Sequence, residues 1–172
     1  MRNVVVENMG KIRRAVPVIE NKVKVKLKVG SRKSEVGVMG SELNEYLVEK
    51  VLRAVDFGFG VEDALLLISE DFVLEFVGVK SHTHRKNLKD VRARLIGTGG
   101  KARKTIENLT GSVLVIQGNR VGLIVDSEHL DVTVQAIESL IQGAKHGNVF
   151  ARLEKQNVAR RRFDSEDLGL KV

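Results

Sequence analysis

The sequence predicts an α+β fold built twice, each copy a three-stranded antiparallel sheet covered on one face by helices. Three observations predict it. Val23, Val25, Leu27 and Val29 alternate with Lys22, Lys24, Lys26 and Lys28, the period-two pattern of a sheet with one buried face. Leu88, Val91 and Leu95, then Ala102, Ile106 and Leu109, recur at helical spacing on either side of a glycine cluster. An internal repeat at an offset of 87 residues sets Ile19-Glu20-Asn21 against Ile106-Glu107-Asn108, Ala15 against Ala102, and Leu43 and Leu47 against Leu130 and Val134.

The elements follow in order. A short strand over Val4 to Val6 leads to a helix that Pro17, lacking an N–H, breaks or starts. The lysine-alternating strand comes next, turns at Gly30-Ser31, and returns through Val36 and Val38 to Gly40. Ser41 is placed to cap a long helix carrying Leu43, Leu47, Val51 and Val55 on one face. Gly58 and Gly60 interrupt it before a short apolar helix from Val61 to Ile68, with the linker near Ser69. The second copy reads as a strand from Phe72 to Val79, a helix from about His84, a glycine loop, and a second helix closed by Thr110-Gly111. A strand from Val113 to Ile116, a turn at Gly118-Asn119, a strand through Val121, Leu123 and Val125, and a helix carrying Leu130, Val134, Ile137 and Ile141 complete it. A further helix past Gly147 runs into Arg160-Arg161-Arg162. The expected boundaries are 1–69, 70–162, and a flexible tail over 163–172.

Composition narrows the function. No cysteine is present, which removes disulfides, thiolate zinc sites and cysteine nucleophiles together. One Tyr, six Phe and no Trp cannot supply successive stacking platforms for bases, so an aliphatic groove is the better expectation. No segment approaches the roughly 18 apolar residues of a membrane span, and the Val4 to Val6 run meets Glu7 and Asn8 at once, so a cytoplasmic protein is expected. His82 and His84 have no acidic or thiol cluster beside them, and no nucleophile arrangement accompanies His129 or His146. Neither a metal, a cofactor nor catalysis is therefore expected.

Charge and glycine converge on one segment. From Arg85 to Lys104, eight cations face the single Asp90, a net +7 that equals the charge of the whole chain. Gly97-Thr98-Gly99-Gly100 lies inside it, where glycine permits a sharp turn and the close approach of another backbone. The helix that follows would point free N–H groups and a positive dipole end at the loop, and Lys101, Arg103 and Lys104 add charge. The competing reading is a solvated helix face. A dinucleotide loop of GxGxxG/A type needs an apolar strand before it, and the stretch here is charged and helically spaced. A Walker A loop fails because Leu95 stands at the first glycine position and Ala102 at the hydroxyl position. The lysines at 22 to 28 read better as protection of an exposed strand edge than as a binding face.

The run from Leu95 to Ile116, LIGTGGKARKTIENLTGSVLVI, resembles the core of a type I KH domain, whose GxxG loop clamps about four nucleotides of single-stranded backbone. VDFGFGVEDALLLI after the first repeat and GAKHGNVFARLEK after the second extend the resemblance over nearly the full chain, to the tandem-KH pre-ribosomal RNA processing factors of the partner-of-Nob (Dim-two) family in their short archaeal form. That resemblance implies a noncatalytic factor binding single-stranded RNA near the 3′ end of small-subunit rRNA. It further implies contacts with the maturation endonuclease and with the alpha subunit of initiation factor two. Gly97, Thr98, Gly99 and Gly100 would clamp backbone, and Lys101, Arg103 and Lys104 would steer phosphate. Ile96, Ile106 and the edge strand Val113, Leu114, Val115 and Ile116 would form the groove, with Arg94 at its mouth. A general KH module for single-stranded RNA or DNA, and a protein-interaction scaffold, are the alternatives. The first repeat departs from the pattern. Either Gly10 to Arg13 faces the loop with Arg13 in place of the second glycine, or the loop is deleted there. That copy is assigned to protein contacts, domain packing or nonspecific electrostatics.

Overall fold

The computed structural model of the protein describes residues 1–30 and 34–167, with side chains as far as 161. Two three-stranded antiparallel sheets share one strand order. In the first, β1 (Arg2–Val5), β2 (Lys26–Val29) and β3 (Glu35–Met39) lie in the order β1-β3-β2, with Val4 opposite Val36 and Leu27 opposite Val38. In the second, β4 (Phe72–Gly78), β5 (Val113–Gln117) and β6 (Arg120–Asp126) lie in the order β4-β6-β5. The helices are α1 (Met9–Lys22), α2 (Glu42–Phe57), α3 (Val61–Ala64), α4 (Leu88–Ile96), α5 (Lys101–Thr110), α6 (Leu130–Gln142) and α7 (His146–Asp167). The chain divides into two compact units, Met1–Glu75 with Gly122–Ile124, and Phe76–Val121 with Val125–Val172.

The repeated Ile-Glu-Asn has a physical reason. Ile19 and Ile106 are fully buried in their respective helices. The glutamate that follows each one turns back to the edge strand. Glu20 Oε1 accepts from Leu27 N at 2.7 Å, and Glu107 Oε1 accepts from Leu114 N at 2.8 Å. Each pair is seven residues apart, so the same short device fixes helix to edge strand in both units.

Several elements differ from the sequence expectation. Pro17 neither breaks nor starts α1, which runs through it. A proline in a helix interior costs about 3 kcal/mol, whereas full burial of each of Ile12 and Ile19 on the opposite face contributes about 2 kcal/mol. Pro17 is exposed, so water can take the carbonyl it leaves unbonded, and continuation wins. Strand pairing in β2 begins only at Lys26, with Lys22 still in α1, although Val23 and Val25 keep the buried alternation. The edge position of β2 and the exposure of its lysines fit edge protection.

The buried face of α2 carries Val48, Val51, Leu52 and Val55, and Leu43 is 62% exposed. The stripe is turned because Glu45 faces inward to accept from Gly40 N at 3.1 Å. Ser41 caps this helix as expected, accepting from Asn44 N at 3.3 Å. The helix expected from His84 starts at Leu88. Before it, Arg85 N donates to Thr83 Oγ1 in a local turn, and Asn87 donates to Asp90 in the first helical turn. Of the expected tail, the backbone as far as Asp167 belongs to α7, and 168–172 lie outside the described residues.

The first unit should lose stability in acid. Glu45 is held below the usual carboxylate range by the Gly40 N–H and then by the Met1 amino group, against the opposing effect of its burial. Glu49 is held below it chiefly by hydrogen bonding to Arg2 at 2.5 Å, with Arg53 at 2.5 Å adding its charge. A carboxyl whose folded pKa is depressed stabilises above its unfolded value and ceases to do so as pH falls through its folded value. Urea midpoints should therefore drop as pH falls below about 4.5, from the ordinary glutamate range. A Glu45→Gln/Glu49→Gln variant, weaker at neutral pH, should show a flatter profile. A parallel profile would rule the two carboxylates out.

Candidate nucleic-acid interface

The loop at 97–100 is made by three glycines with different reasons for being there. Gly97 ends α4 with φ 73° and ψ 172°, its N–H bonded to Ala93 O at 2.8 Å. A Cβ at this position would lie 2.7 Å from both the Cβ and the N of Ala102, so the loop packs directly on the start of α5 and only glycine fits. Gly99 (φ 60°) and Gly100 (φ 76°) are left-handed too, yet a Cβ on either meets nothing within 4 Å. The space beside them is open.

Thr98–Gly100 form a single 3-10 turn, closed by Gly100 N to Gly97 O at 3.1 Å and by Lys101 N to Thr98 O. The first amides of such a turn, Thr98 and Gly99, have no acceptor within it. The N-terminus of α5 adds its positive dipole end at the same place. Thr98, Gly99, Lys101 and Lys104 are all exposed. Open left-handed backbone, free N–H groups and exposed ammonium groups lie together here, the donors and charge that binding an anion requires.

The other expected site residues are distributed less evenly. Ile96 is 39% exposed beside the loop, whereas Ile106 (1%) and Leu114 (4%) lie in the core beneath. Val113, Val115 and Ile116 are half-buried on β5, an edge strand of its sheet, so these three and Ile96 are the expected groove residues that keep apolar surface exposed. Arg103 stands 3.9 Å from Glu107 and is partly neutralised by it. Arg94 is half-buried and its Nη2 donates to Ala144 O at 2.5 Å, so it braces the protein. Arg92, one of the eight cations counted from Arg85 to Lys104 but given no separate role, donates from Nη1 to Gly118 O at 2.9 Å and links α4 to the β5–β6 turn. Its spacing of four residues before Ile96 is the only sequence sign that both share a face of α4.

Comparison with known proteins places this geometry in a family. Residues 73–158 match the family model for the second KH domain of PNO1, described as a eukaryotic type KH-domain (KH-domain type I). A KH domain-containing protein of Methanocaldococcus jannaschii is 31% identical over 154 residues, covering 85% of this chain and 67% of that protein. The pre-rRNA-processing protein pno1 of Aspergillus oryzae is 28% identical over 147 residues, 81% of this chain, and the chain spans 56% of that protein's length. Among solved structures, a chain of the a/eIF2alpha–aDim2p–rRNA complex from Pyrococcus horikoshii superposes with a TM-score of 0.79 at 26% identity, covering 92% of this chain and 94% of that one.

Proposed function

Because this chain belongs to the PNO1 (Dim2) family of KH-domain proteins, we propose that it is a noncatalytic RNA-binding factor of small ribosomal subunit biogenesis. It binds single-stranded RNA near the 3′ end of small-subunit rRNA and assists the maturation of that end. Its second KH domain does the binding. The observation that carries this reading is the open space at Gly99 and Gly100, set between the N-terminus of α5 and the exposed Lys101 and Lys104. Gly97 to Gly100 hold backbone, the two lysines meet phosphate, and Ile96, Val113, Val115 and Ile116 receive bases in an aliphatic groove, as the shortage of aromatics requires.

The first unit is proposed as a KH domain without a clamp. Its strand order and its glutamate-to-edge-strand bond match those of the second. Where the second has two helices about a loop, it has the single helix α1, with Gly10 to Arg13 in the opening turns. It is assigned to protein contacts or domain packing. The rRNA maturation endonuclease and the alpha subunit of initiation factor two are proposed partners. The second is supported by the complex in which the Pyrococcus relative was solved. A cytoplasmic location belongs to the same proposal.

Fluorescence anisotropy with the 3′ end of small-subunit rRNA, a scrambled RNA and matched DNA, across a salt series, tests it. Selective binding to the rRNA end is expected. If three to five phosphates are neutralised, the log-log salt slope should be about −2 to −3.5. Equal binding to all three strands would reduce the protein to a general KH module, and no binding would leave the scaffold reading.

A further inference from the structure

The segment Gly143 to Lys155, singled out in the sequence but given no role by the loop, sits against the end of α4. Gly143 caps α6 with φ 107°. The next residues make two bonds to Arg94: its guanidinium Nη2 donates to Ala144 O at 2.5 Å, and its own main-chain carbonyl lies 2.8 Å from His146 Nε2. A carbonyl can only accept, so His146 donates. Phe150, one turn along α7, stands beside the imidazole at 5.8 Å between ring centroids, and Val149 and Leu153 are buried. At the far end Asn157 Nδ2 donates to Leu109 O in the last turn of α5. The eleven helical steps from His146 to Asn157 span about 16 Å, close to the roughly 15 Å length of α5 itself. Thus α7 is tied at one end to the residue before the loop and at the other to the end of the helix after it.

The position of the His146 bond gives it a consequence beyond bracing. Helix α4 ends at Ile96, leaving its last carbonyls without intrahelical donors. Ala93 O is taken by Gly97 N. Arg94 O is the carbonyl that Thr98 N, four residues on, would reach if α4 wound further, and His146 occupies it.

We infer that His146 is a positioning residue for RNA binding: where Gly97 turns the chain out of α4, the His146 bond to Arg94 O keeps the Thr98 N–H available to a phosphate oxygen. This rests on the RNA-binding reading of the loop. The side chain need not touch RNA.

Glutamine carries an amide donor to about the place of Nε2, and asparagine only to that of Nδ1. The test therefore uses His146→Ala, His146→Gln and His146→Asn in the full chain, with two readouts. The first is amide hydrogen exchange at Thr98 without RNA. The second is the Kd for the 3′ rRNA strand. In His146→Ala and His146→Asn, exchange at Thr98 should slow as its N–H finds Arg94 O, and Kd should rise about tenfold, the size of one lost hydrogen bond. His146→Gln should restore both. Unchanged Thr98 exchange in a folded His146→Ala protein would overturn the inference, as would equal behaviour of the Gln and Asn variants. Should the Ala variant not fold, the Gln and Asn pair decides. If the wild-type protein binds no RNA, the functional reading fails, while the exchange result still decides what His146 does.

Discussion

Aspartate at both Thr98 and Gly99 is expected to raise the Kd for the 3′ rRNA strand by about 100-fold or more without unfolding the protein. Like charges forced together at an interface cost several kcal/mol, and each 1.4 kcal/mol is about tenfold in affinity. Two carboxylates would stand where the open side of the loop is proposed to meet phosphate. The fold should tolerate them. Thr98 is exposed, a Cβ at Gly99 meets no atom within 4 Å, and aspartate enters left-handed backbone more readily than most residues. Circular dichroism and thermal unfolding close to wild type, together with lost anisotropy, would support the clamp. Equal affinity in both proteins would move the site elsewhere. A parallel loss of affinity for scrambled RNA would locate the site while leaving its preference to other residues.

The fold was legible because its signals are local. Alternation marked β2, glycine punctuation marked the helix ends at Gly58 and Gly111, and the repeated Ile-Glu-Asn marked the helix-to-edge-strand bond found in both units. What sequence reasoning missed depended on partners that residue spacing does not name. Apolar spacing alone could not choose between two faces of α2, because the decisive residue was Glu45, turned inward by Gly40 N. In the loop region a closer reading of the spacing does separate groove from core. Ile106 lies four residues after Ala102 and shares its buried stripe, while Ile96 lies five after Val91 and rotates out of it. Arg94 read as a free cation because Ala144, its acceptor, is 50 residues away. Charge in a sequence counts ionised groups, and only the fold tells which of them have been spent on the protein itself.

Gly97→Ala should be the most destabilising single change in the loop, although it adds one methyl group. The backbone at φ 73° and ψ 172° belongs to a region that only glycine enters readily, at a cost of about 1 to 3 kcal/mol for other residues. The new Cβ would also lie 2.7 Å from two atoms of Ala102, one of them main chain, and overpacking of that kind adds about 1 to 3 kcal/mol. Gly99→Ala and Gly100→Ala meet no atoms and carry only the left-handed strain, about 1 to 2 kcal/mol each. Gly97→Ala should therefore lower the melting temperature of the second unit by about 8 °C at the least, at about 4 to 8 °C per kcal/mol for a domain of this size, and by more than either of the other two. Adding Ala102→Gly should recover only part of the loss, since it removes the Cβ contact and leaves the contact with the backbone nitrogen. If all three alanine variants melt together, the loop does not pack on α5. The clamp would then be a flexible glycine hinge, and its amides would be ordered only when RNA arrives.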